Sequence, residues 1–168
     1  TLTIRDGADC NSNVLHNQSL ASISNGNNIV PLNTPLSLTE GNTYYFSVKT
    51  DNNAGWKIRF NPNSQTVGNL RTYLNGTSNT NSCAWNFTSF DWNFSASISN
   101  SNQAQCTISS SGSTVSSLTN SNWGQSFVAD CSGDLQKITF NAATDISSNA
   151  TLTIRDGADC NSNVLHNQ

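Results

Sequence analysis

The sequence contains no methionine, a single glutamate (Glu40) and three lysines (Lys49, Lys57 and Lys137). Long helices in soluble proteins draw on Glu, Lys, Ala and Leu for propensity and solvation. A chain so poor in these residues excludes an all-α fold. Charged residues make up 10% of the total, against roughly 25% in an average soluble domain. The net charge is −3 and basic residues nowhere cluster, which argues against phosphate-driven binding of nucleic acid. No apolar run approaches the ~18–20 residues of a membrane-spanning helix. Paired C-x2-4-C spacings are absent, so structural zinc is disfavoured.

What fills the chain instead is amide and hydroxyl. Asn, Ser and Thr account for 27, 26 and 18 of the 168 residues. Disorder is countered by a 35% hydrophobic fraction with 4 Trp, 7 Phe and 3 Tyr, enough to build one core. These residues fall in alternating runs. Leu2 and Ile4 share a face, as do Tyr44, Phe46 and Val48. Trp56, Ile58 and Phe60 alternate with Lys57 and Arg59, and Trp92, Phe94, Ala96 and Ile98 with Asn93, Ser95 and Ser97. Phe127 with Ala129, and Ile138 with Phe140, add two more runs. Period-2 alternation is the mark of half-buried strands. Turn clusters such as Asn25-Gly26-Asn27-Asn28, Glu40-Gly41-Asn42 and Ser132-Gly133-Asp134 separate them, because Gly, Asn and Asp tolerate left-handed turn conformations. The expected fold is all-β: an antiparallel β-sandwich or jelly roll.

The ends carry the most specific signal. Residues 1–18 and 151–168 are the same string, TLTIRDGADCNSNVLHNQ, without mismatch. The chain is thus one 150-residue period followed by the first 18 residues of the next, as expected of a stretch taken from a longer polymer or processed protein. Residues 99–122 are the richest in Ser and Asn, and Ser109–Ser113 is the best linker within them. On this basis residues 1–112 form the latter part of one unit, and 113–168 the start of the next. Alternatively, 113–168 folds back and completes 19–112 as a circular permutant, and 1–18 then competes with 151–168 for one place in a sheet. The strands Thr1, Leu2 and Ile4 on one side, and Thr151, Leu152 and Ile154 on the other, are the candidate contacts between units.

Five cysteines are present, Cys10, Cys83, Cys106, Cys131 and Cys160, of which the first and last occupy one repeat position. Four per unit suggests two disulfides and an oxidising compartment. If the runs at 125–130, 135–141 and 151–155 alternate direction, Cys131 and Cys160 share an end and pair. Cys83 and Cys106 remain for each other, and Cys10 pairs in the preceding unit.

Signals for chemistry are sparse. Each unit has one histidine (His16, repeated as His166) and one glutamate, and neither a nucleophile triad nor a carboxylate pair is suggested by spacing. His16 fits a surface strand position, and no enzyme is expected. Asp156 and Asp159 (repeating Asp6 and Asp9) share a turn and could hold calcium through oxygen ligands, although Asx-turn hydrogen bonding explains them as well. No other cofactor is suggested. Trp56 and Trp92 keep phase with core residues, leaving Trp85 and Trp123 as candidates for stacking on a glycan.

The succession Gly124-Gln125-Ser126-Phe127-Val128-Ala129-Asp130-Cys131-Ser132-Gly133-Asp134-Leu135, Lys137-Ile138-Thr139-Phe140, Thr151-Leu152-Thr153-Ile154-Arg155-Asp156-Gly157 and Gly41-Asn42-Thr43-Tyr44-Tyr45-Phe46-Ser47-Val48 resembles the jelly-roll repeats of very large Bacteroidetes surface proteins. These include gliding-motility adhesins of the SprB type and other type IX-secreted repeat proteins. The Leu-Thr-Ile-Arg-Asp-Gly turn is also similar to a hairpin of CUB domains, without the acidic pattern upstream that calcium-binding members carry. The resemblance implies an extracellular, elongated, adhesive or structural role and no catalytic residues. The expected function is therefore a repeat unit of a cell-surface or extracellular filament, whose partners are copies of itself or neighbouring repeats. A lectin-like module binding surface glycans is the alternative.

Overall fold

The computed structural model describes residues 4–6, 13–51, 54–62, 70–73, 85–87, 90–100, 103–147 and 149–156. Among them are only strands, bridges, turns and irregular segments. In chain order the strands are β1 (Ile4–Asp6), β2 (Asn13–Leu20), β3 (Gly26–Leu38), β4 (Thr43–Thr50), β5 (Arg59–Asn61), β6 (Leu70–Tyr73), β7 (Trp85–Phe87), β8 (Asp91–Trp92), β9 (Phe94–Asn100), β10 (Gln103–Ser110), β11 (Thr114–Val115), β12 (Asn122–Val128), β13 (Gly133–Ala142) and β14 (Ala150–Asp156). The large sheet runs β2, β14, β4, β12, β6, β7, with β1 also pairing with both β2 and β4. A second sheet runs β10, β9, β13, β3, and a small third one β11, β5, β8. Every pairing is antiparallel, and the fold is the expected all-β sandwich.

Aromatic side chains from the sheets meet in one core. Phe46 on β4 stacks on Trp92 at 5.3 Å between ring centroids and tilts against Phe94 at 5.2 Å. Trp92 also touches Trp56 and Phe140. Trp56 and Trp92 are fully buried, in keeping with their alternation. On β13, Leu135 and Ile138 are both buried although three residues apart. A register shift between Leu135 and Lys137 accounts for this, since a bulge turns the following residues over by one place.

In β4 and β12 the alternation of buried and exposed residues gives way to burial on both faces. Tyr45 and Ser47 on β4 are as buried as Tyr44, Phe46 and Val48. Tyr45 lies over Gly124 of β12, where an added Cβ would fall 2.0 Å from its hydroxyl and 2.8 Å from the Phe46 carbonyl oxygen.

Residues 113–168 do not stand apart from 1–112 in this structure. β12 lies between β4 and β6, β13 between β9 and β3, and β14 between β2 and β4. Nor is Ser109–Ser113 a free linker. Ser109 and Ser110 belong to β10, the Gly112 carbonyl accepts a hydrogen bond from Asn93 Nδ2, and a Cβ on Gly112 would strike the Phe60 carbonyl at 2.4 Å.

The disulfide joins Cys106 to Cys131, 25 residues apart. This corrects the expected pairings of Cys131 with Cys160 and Cys83 with Cys106. Strand direction fixes only the end at which Cys131 lies, whereas its partner is set by the neighbours of β13 in the second sheet. There β9 pairs with β10 on one side and β13 on the other, with Ile98 opposite both Cys106 and Leu135. Cys131, just before β13, thus reaches Cys106. Cys10, Cys83 and Cys160 lie outside the described residues.

Candidate functional site

The repeated segment meets the fold at the gap between β2 and β4. One edge of β4 is taken by β12 in continuous register, from Asn122 opposite Lys49 to Val128 opposite Thr43. Its other edge pairs with β14, where Ala150, Leu152, Ile154 and Asp156 stand opposite Thr50, Val48, Phe46 and Tyr44. β1 pairs with the same edge, with Ile4 opposite Phe46, Arg5 opposite Tyr45 and Asp6 opposite Tyr44. The numbers differ by 150 throughout.

The opposite wall repeats the coincidence. Ile4 and Ile154 both pair with His16 of β2, and Arg5 and Arg155 both pair with Val14. In each case the register skips Leu15 between these two pairs. An irregularity reproduced at the same step indicates that the match extends to local backbone geometry.

Two backbones cannot use this position together. Neighbouring strands sit ~4.8 Å apart, and each edge of β4 offers a single row of N–H and C=O groups. β1 and β14, which share these registers in the structure, are therefore alternative occupants of one position and not two neighbouring strands of the sheet. The wall residues contribute little charge. His16 is half-buried. Burial holds its pKa below the ordinary 6.5, and a hydrogen bond with Gln18 opposes that shift. The Gln18 side chain also bridges to β3, donating to the Pro31 carbonyl and accepting from the Asn33 N–H.

Of the expected contact residues, Ile4, Thr151, Leu152 and Ile154 lie at this position, and Thr1 and Leu2 fall outside the described residues. The walls formed by Val14, His16, Tyr44, Tyr45 and Phe46 carried no functional signal in the sequence. Only long-range pairing brings them to the repeated strand.

The other candidates fare differently. Trp123 is 1% exposed and donates its indole N–H to the Trp56 carbonyl at 3.0 Å, so it is a core residue and not a stacking platform. Its strand is central, flanked by β4 and β6, and both faces are covered. Trp85 sits on β7, at the end of the large sheet, opposite Thr72. Asp156 closes β14 opposite Tyr44, and Asp159 lies outside the described residues. Among the described residues no three His, Cys, Asp or Glu gather as a metal site. An open polar depression of about 460 Å³ lies between Ser99, Asn100, Ser132, Gly133 and Asp134. Its groups engage neighbouring protein groups, as in Ser37 Oγ donating to Asp134 and Asn100 Nδ2 donating to the Ser132 carbonyl.

A buried network escaped the sequence reading. Gln125 Nε2 donates to Asp91 Oδ1 at 3.0 Å, and Gln125 Oε1 accepts the Trp92 backbone N–H at 2.8 Å. These bonds tie β12 to β8 and hold the aromatic core from one side.

Compared with known proteins, the chain matches no protein family, no curated protein and no solved structure.

Proposed function

We propose that this chain is a structural or adhesive repeat unit of an extracellular or cell-surface filament, with units joined end to end. One observation carries the reading: a single strand position with two identical claimants 150 residues apart. A repeat of this kind gives length and multivalency rather than chemistry. The amide-rich, weakly charged composition and the Cys106–Cys131 disulfide suit an oxidising, extracellular setting. The resemblance to repeats of Bacteroidetes surface proteins points the same way and assigns no catalytic residue. The glycan-binding alternative loses Trp123 to the core.

The test is the native material itself. Its intact mass is expected to be a multiple of the 150-residue unit, and electron microscopy is expected to show beaded or elongated particles. A discrete native protein of a single unit that stays compact would overturn the reading.

A further inference from the structure

We infer that the gap between β2 and β4 is an exchange site for a second copy of this chain. The copy of the 18-residue segment that is not in its own sheet inserts as a strand into the same gap of a neighbour. The inference deepens the end-to-end reading by naming the segment that joins and the groove that receives it.

The partner follows from the register. Whatever strand fills the gap must place its residues opposite Tyr44, Tyr45 and Phe46 on one side and Val14 and His16 on the other, with a skip at Leu15. Residues 4–6 and 154–156 both meet that specification. Within residues 1–168 two such strands address one gap, so one of them can serve a neighbouring copy. A neighbouring chain offers that strand the same backbone bonds it would have made at home. Exchange between identical elements needs no new complementarity.

The balance between closing on oneself and joining a neighbour is one of concentration. A tethered copy competes at an effective concentration on the order of millimolar. Isolated wild-type chains at micromolar concentration therefore fill their own gap and stay monomeric. Units held together in an array reach the exchange regime. The reaction becomes visible in dilute solution once a chain has a gap and no competent copy of its own.

The experiment uses the 168-residue chain. In the double variant Ile4→Asp/Ile154→Asp both copies place a charge opposite Phe46, at a strand position of the large sheet. Mixed with wild type at equal micromolar concentration, it is expected to form a 1:1 heterodimer by native mass spectrometry. A non-reducing denaturing gel of the same mixture is expected to show no covalent dimer. Single-variant chains, Ile4→Asp or Ile154→Asp, keep one good copy and use it at home. Each is expected to melt within a few degrees of wild type and to capture the double variant at least tenfold less well. If the double variant does not fold alone, a synthetic peptide of residues 1–18 with Cys10→Ser is expected to restore its tryptophan fluorescence and near-ultraviolet circular dichroism saturably, at one peptide per chain. Three results would each overturn the inference: single variants that capture as well as wild type, one single variant as unstable as the double, or no response to wild type and to millimolar peptide. A covalent array in the native material together with any of these would leave the filament reading standing and the exchange site refuted. Exchange in vitro with a compact single-unit native protein would do the reverse.

Discussion

Ile4 and Ile154 have the same two cross-strand partners, Phe46 on one side and His16 on the other. A residue of a β-sheet interior normally owns its neighbours. Here ownership is divided between two positions 150 residues apart, and the hydrogen-bonding row of β4 admits one of them at a time. Residues 4–6 and 154–156 thus address the same row of β4 in the same register.

The strand that forms this groove depends on how closely β12 approaches it from the other side. Gly124→Ala would push a methyl group into the Tyr45 hydroxyl and the Phe46 carbonyl. The Phe46 carbonyl belongs to the backbone of β4 and cannot swing away. Overpacking of this kind costs about 1–3 kcal/mol. Urea denaturation of the variant is expected to show a loss of that size with an unchanged slope.

Cys106 and Cys131 close a loop with a separation of 25 residues. Chain-entropy arguments give such a loop about 3 kcal/mol of stability. Cys106→Ser/Cys131→Ser is expected to lose about that much. A non-reducing chymotryptic map, which cuts between the two at Trp123 and Phe127, is expected to recover them in one linked pair of peptides. Cys131 found linked to Cys160 instead would refute the pairing.

Gln125 is fully buried between Asp91 and the Trp92 amide. Gln125→Leu keeps much of the volume but removes the acceptor of the Trp92 N–H and a donor to Asp91. Loss of a buried partner costs about 1–3 kcal/mol per group. Calorimetry is expected to show a lower melting temperature for Gln125→Leu than for the surface variant Ser117→Ala, which serves as the control.

His16 makes the fold sensitive to acid. Its pKa is lowered in the folded chain, chiefly by burial, so the unfolded chain binds more protons in the window between the folded value and 6.5. Stability contributed by the neutral imidazole is present above about pH 6.5 and is lost as pH falls through that window. Denaturation midpoints at pH 7.5 and pH 5.5 are expected to differ more for wild type than for His16→Gln. Equal differences would show that His16 is not the titrating group.

Burial of Trp123 turns a supposed binding residue into a stability residue. Trp123→Ala is expected to cost about 3–5 kcal/mol, as large core truncations do. Thermal melting provides the measurement, and a variant as stable as wild type would place the indole at the surface after all.

Much of the architecture was legible in local pattern. Alternation marked Tyr44, Phe46, Val48, Trp56, Trp92 and Phe140 as inward residues, and all are buried. Asn, Gly and Asp marked the turns. The parts that were missed depend on neighbours remote in the chain. Trp123 read as a surface candidate because its strand lacks clean alternation. That irregularity reflects a central strand covered on both faces, between β4 and β6. The disulfide pairing departs from the expected one because strand direction can be followed along the chain, whereas the lateral order β10, β9, β13 that brings Cys131 to Cys106 cannot.

By itself, the sequence determined that the chain is an all-β unit with a repeated 18-residue segment. Composition excludes an all-α fold, alternation marks the strands, and identity of two strings is a property of the strings alone. Only the tertiary structure decided that residues 4–6 and 154–156 address one gap between β2 and β4, in one register and with one irregularity. The reason is physical. Register is set by partners distant in the chain, and the single hydrogen-bonding edge of β4 turns a repetition into a competition.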